Sequence, residues 1–113
     1  MTFVDLCSAL PAAVTACNAE GIIIYINPTA ERQFHKSGGC ALLGSNIFEC
    51  HPHEAQEKIR ALMLERKSNV YTVEKNGQRR LIYQSPWYQA GEFAGLVEIS
   101  FEIPYPIPHI VRK

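Results

Sequence analysis

Residues 13–27 read AVTACNAEGIIIYIN. The run from Ala12 to Cys17 is short and apolar, Asn18-Ala19-Glu20-Gly21 is a turn signal, and Ile22 to Ile26 is rich in β-branched residues. Two such runs around four turn residues predict a strand–turn–strand hairpin. Gly21 supplies the positive φ that the turn needs. Asn27-Pro28 follows at once. Asparagine is a good helix N-cap, and proline suits the first helical position because its missing N–H would have no partner there. A short helix carrying Ala30 and Phe34 is therefore predicted directly after the hairpin, ended by Ser37-Gly38-Gly39.

Working outward, Phe3, Val4, Leu6, Cys7 and Leu10 are spaced like one face of a short helix, which Pro11 closes. On the other side, Ala41-Leu42-Leu43 is one apolar turn before Gly44. Ala55, Ile59, Leu62 and Met63 then recur at helical spacing and predict an amphipathic helix over about 53–67. The remainder reads as strands: 69–75, an Asn76-Gly77 hairpin turn, 79–88, a turn at 89–92, and 93–103. The tail, PYPIPHIVRK, cannot extend a central strand, because its prolines lack the donor a ladder requires. Hairpins at both ends with helices between them predict an α+β fold with an antiparallel sheet.

The bulk properties narrow the function. The chain has 113 residues, suited to one domain, and its hydrophobic share of 47% argues against disorder. Eleven basic residues balance eleven acidic ones, which argues against a general nucleic-acid surface. No run approaches the roughly 18 apolar residues of a membrane helix. Four cysteines, Cys7, Cys17, Cys40 and Cys50, form no CxxC pair, and Met1 to Leu10, with Asp5 and no basic residue, is not expected to act as a signal peptide. A cytoplasmic protein with reduced thiols is expected.

The hairpin, the Asn27 cap, LLG at 42–44 and QSPWYQAGEFAGLVEI at 84–99 together resemble a PAS domain. GSNIFECHP, at 44–52, is similar to a PAS subgroup with Cys-His-Pro before the long helix. The resemblance implies a five-stranded antiparallel sheet with short helices and one longer helix on one face. It implies an N-terminal cap segment over 1–10, the PAS domain over 11–104 and a proline-rich tail over 105–113.

GSNIFECHPHEA, at 44–55, concentrates one thiol and two imidazoles in Cys50, His51 and His53. A nucleophilic cysteine needs a base, an orienting group and an oxyanion hole, and no such set is visible around Cys50. A structural zinc site wants a second ligand pair, which is absent beside His35, Cys50, His51 and His53. The plainest role is structural, with Pro52 opening a helix and Cys50 acting as a small apolar residue. Some PAS domains hold haem through a histidine on or before the long helix, so the resemblance leaves a haem-binding gas or redox sensor through His51 or His53 open. The light-sensing LOV subfamily carries its photoactive cysteine where this chain has Ile47. An aliphatic side chain cannot form the thioether adduct.

By the same resemblance, Ile59, Met63, Ile82, Gln84, Val97 and Ile99 face a hollow between sheet and helices. Glu98 and Glu102 then fall on the opposite face with Leu81, Tyr83 and Trp87. That face is too apolar to stand wet, and Phe3, Val4 and Leu6 or a second copy of the chain would cover it. The expectation is a non-catalytic sensory or signalling module that pairs as a homodimer, can hold a small ligand, and passes its signal to a separate output protein or domain. It involves no nucleic acid, membrane or metal, and no cofactor unless haem. A thiol enzyme using Cys50 is the remaining alternative.

Overall fold

The hairpin expected at 13–27 forms. β1 (Ala13–Cys17) pairs antiparallel with β2 (Ile23–Ile26). The Asn18 carboxamide oxygen accepts from the Glu20 and Ile22 amides and holds the turn, where Gly21 takes φ 84°. The computed structural model of the chain describes residues 1–36, 43–49 and 51–113, with the backbone alone at His35 and Lys36. Ser37-Gly38-Gly39, Cys40, Ala41, Leu42 and Cys50 lie outside the described residues.

Asn27 ties the first third of the chain together. Its side-chain oxygen accepts from the Ala30 amide, capping α2 (Pro28–Lys36), and from the Val14 amide in β1, each at 2.9 Å. Its amide nitrogen donates to the Cys7 carbonyl at 2.9 Å and the Ala12 carbonyl at 2.8 Å. The side chain is completely buried. A polar group enclosed at this depth costs free energy unless its hydrogen-bonding capacity is met, and here it is met. One residue thereby fixes α1 (Phe3–Ala9), β1 and α2 against each other.

α1 begins with a capping box in which Thr2 and Asp5 bond each other's backbone amides. Only Cys7 of this helix is buried, whereas Phe3, Val4 and Leu6 stand in solvent at 77%, 57% and 49% exposure. These three residues therefore do not cover the sheet. The helix is drawn to α2 by the Asn27–Cys7 bond and seats the Cys7 thiol beside the enclosed Tyr25 hydroxyl.

The long helix, α3 (His53–Glu65), ends at Arg66 in the left-handed conformation, slightly before the expected boundary. β3 (Asn69–Lys75), β4 (Gln78–Gln89) and β5 (Glu92–Ile103) follow through turns at Asn76-Gly77 and Ala90-Gly91. The five strands form one antiparallel sheet in the order β2-β1-β5-β4-β3, so the first and last strands lie side by side at its centre. Pro86 sits within β4, but beyond Gln84 that strand has no β3 partner, so no ladder bond is lost there. The α+β architecture expected from the sequence is the architecture found.

Register decides which side chains meet the helices. β4 and β5 pair Gln89 with Glu92 and Tyr88 with Phe93, then Trp87 with Gly95, so a bulge at Ala94 inserts one residue. Beyond it Gln84 opposes Glu98 and Ile82 opposes Ser100. Directly opposed residues share a face. Glu98, Ser100 and Glu102 therefore lie with Ile82 and Gln84 on the helical side, and Val97 and Ile99 hold register positions on the outer side. This reverses the expected sides of Val97, Ile99, Glu98 and Glu102, because a one-residue shift exchanges the faces of a strand.

Candidate functional site

α3 carries an apolar stripe, yet none of its residues is buried. Between this helix, α2 and the sheet is a hollow of about 110 Å³. Phe34 of α2, Ile47, Ile59 of α3 and Leu96 of β5 give it apolar walls, while Thr15, Cys17, His51, Gln84, Val97 and Glu98 complete the lining. A neighbouring recess of about 120 Å³ shares His51, Ile59, Gln84 and Glu98 and adds Lys58, Leu62 and Tyr71.

A relay of amides orders the polar wall. Asn69 Nδ2 donates to Gln84 Oε1 at 3.0 Å, and Gln84 Nε2 donates to Glu98 Oε1 at 2.8 Å. The three residues belong to three successive strands, in register across one face. Their fixed order aims the carboxylate from the sheet toward the helices. Burial first, and then the Glu98 charge, raise the nearby Tyr71 phenol above its usual range. His51 Nδ1 contacts the Ile47 carbonyl, which can only accept, so this nitrogen carries the proton of the neutral ring. Cys17 is buried, and burial pushes its thiol upward, away from the thiolate form that a nucleophile requires.

Of the residues predicted to meet a ligand, the fold brings Ile59 and Gln84 to the hollow from the helical side, has Val97 border it although its register position is on the outer side, and leaves Met63, Ile82 and Ile99 outside its lining. Phe34, Ile47, Thr15, Cys17, Leu96 and Glu98 were missed. Phe34 was legible as a buried-face residue of the helix that Asn27 caps; Glu98 required the bulge.

His51 borders the hollow, but His53 pairs with Glu57 on the outer surface of α3. Pockets for cofactor-sized ligands span roughly 300–1,000 Å³. The hollow as shaped does not fit a porphyrin, and His53 faces away from it. Among the described residues no group of three or more His, Cys, Asp or Glu could hold a metal ion. Cys50 is outside the described residues.

The outer face of the sheet is half-exposed at Leu81, Tyr83, Trp87, Ile99 and Phe101. Trp87 is tied inward at one point: its Nε1 donates to the Cys17 carbonyl at 3.0 Å. That carbonyl also lies over Gly95, the residue opposite Trp87, so closely that a Cβ there would stand 1.9 Å from it.

A curved antiparallel sheet with a helical cover on one face and a small hollow between them defines a class of α+β domain. More particularly, the chain belongs to the PAS fold family, whose model matches residues 3–85. Solved structures agree on the fold. The PAS domain from Bordetella pertussis BvgS superposes with TM-score 0.65 at 20% identity, over 90% of this chain and 84% of that one. The PAS domain of the histidine kinase ThkA gives 0.63 at 18% identity, over 80% and 97%. The Aer2 receptor from Vibrio cholerae, described as a dual PAS-heme oxygen sensor, gives 0.58 at 18%, over 82% and 95%. No curated protein matches the chain. Among the described residues no helix is long and apolar enough to cross a membrane.

Proposed function

We propose that this chain is a non-catalytic sensory module that holds a small molecule in the hollow under α3 and signals through the outer face of its sheet. The observation that carries this reading is the hollow itself, apolar along its walls and ordered along one side by the Asn69–Gln84–Glu98 relay. A helix with no buried residue sits over it, so filling the space would change what that helix packs against. The output lies in a separate protein or domain, the cytoplasm is the compartment, and the domain runs over 11–104. Free thiols at Cys7 and Cys17 accord with a reducing setting.

Mass spectrometry of the native protein tests the ligand. A retained small molecule is expected in the wild type. Ile59→Trp, which plugs the hollow from α3, should lose it while the far-ultraviolet circular dichroism stays unchanged. Retention by the plugged variant, or a wild type that never carries or takes up a small molecule, would reject the reading.

Pairing with a second copy follows from the outer face. Leu81, Tyr83 and Phe101 stand half-exposed on it, and Phe3 and Leu6 are exposed on α1. Aromatic anchors on a sheet face commonly dominate such interfaces, each contributing about 2 kcal/mol or more. Tyr83→Arg is expected to weaken self-association at least ~30-fold, the equivalent of that energy. Sedimentation velocity measures it, and a wild type that is monomeric at high micromolar concentration would reject the dimer.

A further inference from the structure

Among the described residues, the Glu98 carboxylate in the hollow has no ion-pair partner. Among the described residues the ion pairs are His53–Glu57, Lys67–Glu65 and Arg79–Glu74, and none includes Glu98. Lys58, which lines the adjoining recess with Glu98, places its Nζ over the Tyr71 ring, 5.4 Å from the centroid. Among the described residues Glu98 accepts one hydrogen bond, from Gln84, although a carboxylate offers about four lone-pair positions.

The other polar groups are also biased toward accepting. Gln84 spends its oxygen on Asn69 and one N–H on Glu98. His51 directs its Nδ1 proton to the Ile47 carbonyl, so that Nε2 is an acceptor whenever the ring is neutral. What remains for an occupant is a partly enclosed carboxylate, an imidazole lone pair and apolar walls. A neutral hydrocarbon would desolvate the carboxylate and give nothing back. An anion would meet a like charge. An ammonium group would supply the donors that this wall lacks, in the strongest class of hydrogen bond.

We infer that the hollow takes a compact organic cation, a protonated amine with a small apolar body, its ammonium on Glu98 and its body among Phe34, Ile47, Ile59 and Leu96. This rests on the ligand-binding reading above and adds the chemical class. The volume, about 110 Å³, suits only a few heavy atoms; an engineered apolar cavity of about 150 Å³ accepts benzene. Gln84 and Asn69 act as positioning residues that hold the carboxylate in one orientation.

Three probes that share a four-carbon chain separate the possibilities: n-butylammonium, butan-1-ol and butyrate. Each is titrated into the whole chain, with binding read from the amide resonances of Leu96 and Val97. Butylammonium is expected to bind at least about tenfold more tightly than butan-1-ol, because its hydrogen bonds are charge-assisted, and butyrate more weakly than either. Glu98→Gln keeps an acceptor for Gln84 but no charge, and should bring the amine down to the alcohol. Glu98→Asp should keep the order of preference. Equal binding of amine and alcohol by the wild type would overturn the cation inference while leaving a ligand site standing. So would a preference that survives in Glu98→Gln. Binding of none of the three would overturn both. If Glu98→Gln does not fold, the wild-type ratio of amine to alcohol decides the matter.

Discussion

Asn27→Ala is expected to lower the unfolding free energy by about 4–6 kcal/mol, close to the whole stability of a marginal domain, which runs from about 5 kcal/mol upward. The substitution removes four hydrogen bonds at a site with no exposure. The Ala12 carbonyl and the Val14 and Ala30 amides would lose this partner, the Cys7 carbonyl would keep only its 3.4 Å bond from the Leu10 amide, and each enclosed group so stripped costs roughly 1–3 kcal/mol. A lost helix cap alone would cost only about 1 kcal/mol. Asn27→Asp separates the two accounts. Aspartate retains the oxygen that caps α2 but has no N–H for the two carbonyls, so it should recover little of the loss. Urea unfolding followed by circular dichroism measures both variants. A loss near 1 kcal/mol for alanine, restored by aspartate, would reduce Asn27 to an ordinary cap.

The second large effect is expected at Gly95→Ala, with a loss of about 3 kcal/mol or more. Gly95 has φ +148°, a region essentially reserved for glycine. A methyl group there would stand 1.9 Å from the Cys17 carbonyl oxygen, a backbone atom that cannot swing aside. Relief requires β1 to move off β5, which also breaks the Trp87–Cys17 bond. Trp87 is the only tryptophan in the chain, so its emission reports the break directly. The variant should show a depressed melting temperature and red-shifted emission. A melting temperature within a degree of the wild type would contradict the packing described at this junction.

Much of the fold was legible because its signals are local. The Asn18–Gly21 turn, the Asn27-Pro28 helix start and the Asn76-Gly77 hairpin each act over a few residues, and each appears where the sequence places it. The burial of Asn27 was not legible, since its partners Cys7 and Ala12 come from a segment whose approach depends on the finished sheet. The site was half legible for one identifiable reason. Counting back from the Gln89–Glu92 pair without interruption would set Gln84 opposite Val97 and Ile82 opposite Ile99, matching the expected pocket. The bulge at Ala94 moves the count by one and brings Glu98 opposite Gln84 instead. Hydrophobic alternation reinforced the error, because the apolar row of β5 reads as the inward one. In this domain the helical side is the more polar side, with Arg80 also bonding Ser100 and Gln33 there.

The Cys17 carbonyl has a further bearing on how the two sides of the sheet communicate. Cys17 lines the cavity beneath the helices, while the indole that its oxygen receives belongs to the opposite surface. An occupant that displaces Cys17 must therefore stretch, bend or carry along its tether to Trp87. The sheet is bolted through at one point, and a push on one side has a fixed place to emerge on the other.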